Sequence, residues 1–224
     1  IRFMGLDHLS NIVTFFNNRL VLWIIAYYLS SDYVGLFALA FGITQLLTML
    51  SNPLSQVLFP FIWSDDAKKH IKTYILFCRA HFSILLIISL AGVFVTPFIL
   101  TKVYGSDFYS SIIPLQIMFI PSIFACQTKI FTGILFAENK VKLYLYSSIA
   151  GLVVTLLLNF ILIPSFGIEG AAIASSISFI TTFIVVYISM AIHVKLPSYN
   201  LFFLNKKDLT QIKDTLKYRR NPKD

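Results

Sequence analysis

Six long apolar stretches, each almost free of charged side chains, occupy most of this chain, and they run over 9–29, 34–58, 78–100, 111–136, 143–163 and 171–193. A helix needs roughly 20 apolar residues to cross a hydrocarbon core of ~30 Å, so each stretch is long enough for one crossing. Turn-forming clusters such as Ser30-Ser31-Asp32 and Pro164-Ser165-Phe166-Gly167 separate them. We predict an all-α polytopic membrane protein in which about six transmembrane helices over 1–193 form one lobe.

The composition excludes most other classes of protein. Hydrophobic residues make up 57% and charged residues 12% of the 224 residues, against ~45–50% and ~25% in soluble domains. Six crossings leave no room for a large domain outside the membrane, and the short loops carry too few charges for an acid and base pair. We therefore expect no enzyme. The net charge of +8 is spread over loops with no nucleic-acid motif, and Cys78 and Cys126 lie in or beside apolar segments, so neither nucleic acid nor a metal is expected.

The basic residues predict the orientation. Fifteen Lys and Arg fall on one side of the predicted membrane, against Lys102 alone on the other, with Arg19 and Lys129 inside spans. Cytoplasmic loops carry the excess of Lys and Arg, so both ends of the chain are expected in the cytoplasm. The tail over 194–224 alternates Leu209, Ile212 and Leu216 with lysines, which predicts a basic amphipathic segment on the anionic inner leaflet.

Polar side chains form a stripe along the first predicted span. Asn11, Thr14 and Asn18 recur at helical spacing, and Arg19 borders them. A charge at this depth costs ~2.5–3.5 kcal/mol on insertion scales, so Arg19 is expected to face protein or water. The span thus has a polar face.

The second predicted span carries a similar stripe, formed by Gln45, Thr48, Asn52 and Ser55, with Gln56 on its flank. Pro53 removes a helical hydrogen bond there and frees a carbonyl, which makes it a candidate hinge. The first two helices together could line a wet cavity. The alternative is that these amides and hydroxyls bond to neighbouring helices as packing elements.

Two later spans add further candidates. Lys129 lies in the fourth span, where it either lines the cavity or extends its amine to the interface. Pro121 marks a static kink or a hinge in the same helix. Asn159, at the end of a small-residue stripe in the fifth span, is a candidate substrate contact.

Carboxylates fall outside all six predicted spans. A proton or sodium site built on a buried carboxylate therefore cannot be assembled from these spans alone. Coupling to a H⁺ or Na⁺ gradient is left open, and no cofactor is expected.

Two segments carry a resemblance to a known family. The first is 30–40, which reads SSDYVGLFALA and runs on to Leu58-Phe59-Pro60. The second is 159–174, in which Asn159 and Pro164 precede Gly167-x-x-Gly170-Ala171-Ala172. Both resemble the second half of bacterial oligosaccharide and O-antigen flippases, the polysaccharide-transporter branch of the multidrug, oligosaccharidyl-lipid and polysaccharide exporter superfamily.

The resemblance implies a protein of two six-helix lobes around a central cavity, with this chain as the second lobe and the N-terminal half missing. It implies transport of an undecaprenyl-diphosphate-linked oligosaccharide across the bacterial inner membrane by alternating access, with membrane lipid as solvent. Arg19 is the position that suits the diphosphate, because a guanidinium offers a planar fork to phosphate oxygens. Residues expected around the substrate are Asn18, Gln45, Thr48, Asn52, Lys129 and Asn159. The alternatives are a drug or cation antiporter of the same superfamily and a non-catalytic membrane subunit.

Overall fold

The computed structural model describes residues 2–63, 67–194 and Phe202. Its five α-helices are α1 (Arg2–Tyr28), α2 (Ser31–Trp63), α3 (Ala67–Ile99), α4 (Ile112–Ala137) and α5 (Val141–Val194). A π-helical turn (Leu100–Tyr104) and a 3-10 turn (Ser106–Ser111) join α3 to α4. The described residues contain no strand, which confirms the all-α prediction. The predicted tail lies outside them, apart from Phe202.

The 54 residues of α5 are broken at Gly167, whose φ of 57° and ψ of −138° are not helical. Glycine suits this position because it lacks the Cβ that penalises a positive φ. The arms over 141–166 and 168–194 run antiparallel: the Ser178 hydroxyl donates to the Gly151 carbonyl at 3.0 Å, and the Lys140 amine donates to the His193 carbonyl at 3.0 Å. Each arm is long enough to cross a membrane. The bundle therefore makes about six crossings, in agreement with the sequence.

Helix α4 lies at the centre and packs against α2, α3 and both arms of α5, while α1 packs mainly on α5. Its inward residues Met118, Cys126 and Phe131 are fully buried. The outer surface is apolar: Trp23 is 65% exposed and Phe94 80% exposed. Lipid is the solvent that such a surface requires, so the chain is a multi-pass membrane protein.

Prolines inside helices free carbonyls, and neighbouring helices bond to two of these. Pro97 has no N–H for the carbonyl of Val93, which accepts instead from the Gln116 side chain of α4 at 2.8 Å. Pro121 likewise frees the carbonyl of Ile117, and the Ser176 hydroxyl of α5 donates to it at 3.5 Å. Side-chain donors of this kind are how membrane helices accommodate proline.

The helix ends define two ends of the bundle. One, called here the basic end, holds the start of α1, the end of α2, the start of α3, the α4–α5 connection and the end of α5. The opposite end holds the α1–α2 connection, the turns before α4 and the bend at Gly167. Successive helices therefore run in alternating directions through the bundle, as the six predicted spans require.

Candidate functional site

A cavity of about 240 Å³ opens between α1, α2, α4 and α5, and we call it the central cavity. It is smaller than typical sites for drug-sized ligands, which measure roughly 300–1,000 Å³. Its volume therefore suits one sugar ring or one phosphate group. Its lining residues are Thr14, Asn17, Asn18, Gln45, Thr48, Met49, Asn52, Ala125, Thr128, Lys129, Tyr144, Ser148, Phe179 and Thr182.

Helical periodicity places these side chains. Residues three and four positions apart share one face of a helix, so α1 presents Thr14 and Asn18 together and α2 presents Gln45, Thr48 and Asn52. The predicted polar stripes of the first two spans therefore meet at one cavity. Five of the predicted substrate contacts line it: Asn18, Gln45, Thr48, Asn52 and Lys129.

Several lining groups have no partner in the described part of the protein. The side chains of Asn18, Asn52 and Lys129 make no hydrogen bond or ion pair with any described residue. The amide oxygen of Asn17 is buried without a partner, although its nitrogen lies 3.4 Å from the Ser178 hydroxyl. Asn52 is exposed, Asn18 and Lys129 are partly buried, and the Asn17 oxygen is buried, so all four groups are available to a ligand or to water.

Other lining groups hold the cavity wall together. The Thr48 hydroxyl lies 2.8 Å from the Gln45 carbonyl and 3.0 Å from its side-chain oxygen. Across the cavity, the Thr14 hydroxyl lies 3.4 Å from both the Tyr144 and Ser148 hydroxyls. These long contacts between α1 and α5 are weak, and a ligand hydroxyl could replace them at little cost.

A second cavity of about 310 Å³ adjoins the first toward the basic end, and we call it the mouth cavity. It shares Lys129 and Tyr144 with the central cavity. Its other lining residues are Asp7, Asn11, Ser55, Thr132, Gly133 and Phe136. The two cavities form a polar path from the basic end into the bundle.

The mouth cavity corrects one expectation. The carboxylates, Asp7 among them, are expected outside the predicted spans, but α1 already begins at Arg2 and the apolar helical stretch begins at Gly5. The Asp7 carboxylate therefore lies on the polar face of α1, where the Asn11 amide donates to it at 3.2 Å. Within the described residues no carboxylate is within 4 Å of the Lys129 amine, so Asp7 and Lys129 face one path without forming a salt bridge.

The structure places Arg19 outside the central cavity. A helix turns by about 100° per residue, so Asn18 points into the cavity and Arg19 points away from it. The guanidinium is exposed and lies 5.7 Å from the centroid of the Phe15 ring, a cation–π contact. Exposed Ile12, Phe15 and Trp23 share this face. The expectation that Arg19 borders the polar stripe inside the cavity is corrected, and a role for it in substrate binding stays a prediction.

The remaining predicted residues, Asn159, Pro121 and Pro53, do not line the central cavity. Asn159 is completely buried in α5, its nitrogen donates to the Thr155 carbonyl at 2.6 Å, and its oxygen has no partner in the described protein. Pro121 frees the carbonyl to which Ser176 donates. Pro53 frees the carbonyl of Met49 beside the cavity, and no side chain of the described residues bonds to it. The hinge roles of both prolines stay predictions.

Among the lining residues that sequence reasoning missed, Asp7 and Tyr144 extend predicted patterns by one helical turn. Asp7 continues the stripe of Asn11 and Thr14, and Tyr144 precedes Ser148 by four positions. Thr128 belongs to the face of α4 that carries Lys129. Counting each stripe one turn further would have found the first two.

A separate polar network behind the cavity wall ties α2, α3 and α4 together. The ring nitrogens of His81 lie 3.0 Å from the Ser51 hydroxyl and 3.1 Å from the Gln127 side-chain oxygen. The Gln127 nitrogen donates to the Cys78 carbonyl at 3.1 Å. Ser51 and Gln127 are fully buried, so this network acts as an internal brace. Among the described residues, no three His, Cys, Asp or Glu side chains converge as a metal site would require.

Comparison with known proteins assigns the chain to a family. The model of a family described as "Polysaccharide biosynthesis protein" matches residues 1–114. A curated relative from Haloferax volcanii, named "Probable low-salt glycan biosynthesis flippase", is 29% identical over 174 residues, which cover 76% of this chain and 37% of the relative.

Solved transporter structures share the fold. A multidrug, oligosaccharidyl-lipid and polysaccharide exporter (MOP) superfamily transporter from Pyrococcus furiosus superposes with a TM-score of 0.71 at 17% identity over 92% of this chain and 46% of that one. An outward-facing multidrug resistance transporter of the same superfamily gives 0.71 at 17% identity over 94% and 49%. An inward-facing multidrug resistance transporter of the superfamily gives 0.63 at 19% identity over 92% and 48%. The chain spans less than half the length of each protein it matches.

Proposed function

This chain belongs to the polysaccharide biosynthesis protein family, and we propose that it forms one lobe of a flippase that moves a lipid-linked oligosaccharide across the membrane. The cargo would be a glycan joined to an undecaprenyl diphosphate, carried from the cytoplasmic to the outer leaflet of a bacterial inner membrane. The second lobe would come from a further segment of the same protein. No covalent chemistry is needed, so the function is transport and not catalysis.

The central cavity supports an anionic, hydroxyl-rich cargo. Lys129 brings a positive charge that no described carboxylate neutralises, and it would hold a phosphate oxygen by a charge-assisted hydrogen bond. The amides of Asn18 and Asn52 can both donate and accept, as sugar hydroxyls require. The observation that carries the proposal is this cluster of unpaired polar groups around one uncompensated cation, inside a membrane bundle.

The path from the basic end supports loading from the cytoplasm. The mouth cavity continues into the central cavity through Lys129 and Tyr144. The excess of basic residues at that end favours its placement in the cytoplasm. An anionic headgroup could thus enter from the inner leaflet past Asp7, which opposes it, toward Lys129, which attracts it, while its lipid tail stays in the bilayer. Rocking of the two lobes would then open the path to the other side.

A strain that lacks the chromosomal copy and carries the complete gene tests the proposal. Wild-type protein restores surface polysaccharide, and Lys129→Met lowers it strongly because the cation in the cavity is lost. Lys102→Met, which removes an exposed cation at the opposite end, is the matched control and keeps normal levels. Full surface polysaccharide in the Lys129→Met strain at equal protein levels contradicts the proposed role of the cavity.

The same strains test the role predicted for Arg19. If Arg19 contacts the diphosphate on the exposed face of α1, where a second lobe could pack, Arg19→Ala lowers surface polysaccharide as well. Normal polysaccharide in that strain removes Arg19 from the mechanism.

A drug or cation antiporter is the alternative, and the fold shared with multidrug resistance transporters motivates it. The charge of Lys129 opposes it, because a cation inside the cavity repels cationic cargo. Export of cationic dyes by the complete protein, without movement of lipid-linked glycan, would favour the antiporter.

A further inference from the structure

A third cavity of about 340 Å³ lies at the end of the bundle opposite the basic end, and we call it the rim cavity. Three connections build it: the start of α2, the turns before α4 and the bend of α5 at Gly167. The described residues that line it are Tyr33, Tyr109, Ser110, Ile112, Ile113, Phe166, Gly167, Ile168 and Glu169.

Three aromatic side chains line this cavity and make no contact with another aromatic ring of the described protein. Tyr33 is 42% exposed, Phe166 58% and Tyr109 68%, and none of them stacks on another ring of the described protein. Aromatic faces carry partial negative charge. The aromatic faces therefore attract the C–H groups on the flat face of a sugar ring, whose hydroxyl groups lie around its edge.

The polar groups of the rim cavity are also free. The hydroxyls of Tyr33, Tyr109 and Ser110 and the carboxylate of Glu169 make no hydrogen bond with any described residue. The hydroxyls can donate and accept, and the carboxylate accepts strongly from an O–H donor. Free aromatic faces beside free hydroxyls and an acceptor complement the surface of a sugar.

The charge of the rim cavity separates it from the central cavity. Among the described residues, Glu169 is the charged group that lines the rim cavity, and its carboxylate repels a phosphate group. Lys129 in the central cavity attracts a phosphate group. A diphosphate is thus favoured in the middle of the bundle and disfavoured at this end. Neutral sugar rings fit the rim cavity without that penalty.

We propose that the rim cavity is a second carbohydrate site, which binds neutral sugar rings of the glycan at the outer end of the lobe. The inference rests on the proposed function, because it takes the same glycan as ligand. The glycan would meet this site after its diphosphate has left the basic end. Binding here would bias the sugar portion toward the outer side during release.

Saturation-transfer NMR tests the site with the full chain in lipid nanodiscs, because sugar-based detergents would compete. The probe is the neutral disaccharide N,N′-diacetylchitobiose, which has neither lipid nor phosphate. Irradiation of aromatic protons should transfer saturation to the sugar ring protons. Tyr109→Ala and Glu169→Gln should each weaken this transfer by about fivefold, through loss of a ring face or of a charged acceptor.

Matched variants keep the result interpretable. Tyr27→Ala removes a tyrosine that is 79% exposed and does not line the cavity, and it should leave the signal unchanged. Tyr109→Phe retains the ring and should keep most of the transfer. Equal signals in wild type and Tyr109→Ala would overturn the proposal, as would stronger transfer to tetramethylammonium than to the sugar. Because the probe is neither lipid-linked nor transported, failure here leaves the surface-polysaccharide test of the proposed function unaffected.

Discussion

Replacing Lys129 by Met removes the positive charge that Lys129 brings to the central cavity and keeps most of the length of the side chain. Lys129 is partly buried, and its amine has no ion-pair partner within the described protein. The variant therefore breaks no salt bridge and leaves no opposite charge unpaired. Its effect on ligand binding should come from the lost contact with the ligand and not from damage to the fold.

The size of the effect follows from the electrostatics of the cavity. Two unit charges about 4 Å apart interact by about 4 kcal/mol at an effective dielectric constant of about 20. Water in the cavity and the desolvation of both groups reduce this, and hydrogen bonds to charged groups contribute about 1.5–3 kcal/mol net. Since about 1.4 kcal/mol is a tenfold change, the dissociation constant for a diphosphate-linked glycan should rise by roughly 10–150-fold.

Calorimetric titration of the complete protein in nanodiscs measures this effect with two ligands. One is a lipid-linked oligosaccharide with its diphosphate, and the other is a neutral glycolipid with the same sugars. Lys129→Met should weaken only the first, and Lys129→Arg should restore most of the affinity. Unchanged affinity for the diphosphate ligand in Lys129→Met refutes the reasoning, as does an equal loss for both ligands.

Three further predictions concern the bundle, and thermal unfolding in one detergent measures them. Gln127→Leu leaves its buried partners His81 and Cys78 unpaired and should lower the free energy of unfolding by about 1–3 kcal/mol. Gln116→Leu removes one hydrogen bond and should cost less. Equal losses of stability in the two variants would contradict the role of the network. Gly151→Leu should lower the midpoint because a Cβ there collides with the second arm of α5, whereas Gly42→Leu has open space; similar midpoints would contradict this packing. Gly167→Ala should cost about 1–3 kcal/mol because alanine is strained at this positive φ, and no loss would mean that the bend does not need glycine.

The crossings of the membrane could be predicted from the sequence because hydropathy directly reflects the solvent of each segment. The helix ends could not, since α1 begins at Arg2 and α2 continues to Trp63, beyond the apolar runs. Hydropathy detects the part of a helix in lipid, whereas a helix continues into water as long as its backbone bonds are satisfied. The bend at Gly167 fell in a predicted loop, but it consists of one residue with a positive φ.

The polar faces that meet at the central cavity were predictable from their spacing, because helical periodicity aligns Thr14 with Asn18 and Thr48 with Asn52. The spacing could not predict which charged residue points into the cavity. Arg19 borders the stripe of α1, yet a rotation of about 100° past Asn18 directs it outward. The sequence allowed two positions for the Lys129 amine, and only the packing of α4 against α2 and α5 places it at the cavity.

Photocrosslinking tests the central claim most directly, because it shows where the anionic part of the cargo lies. A lipid-linked oligosaccharide with a photoreactive group beside its diphosphate is bound to the complete protein, irradiated and mapped by peptide mass spectrometry. The account predicts labels within 45–52 and 125–129, which Lys129→Met reduces. Labels confined to the exposed face of α1 around Arg19, with none at the cavity, would contradict it.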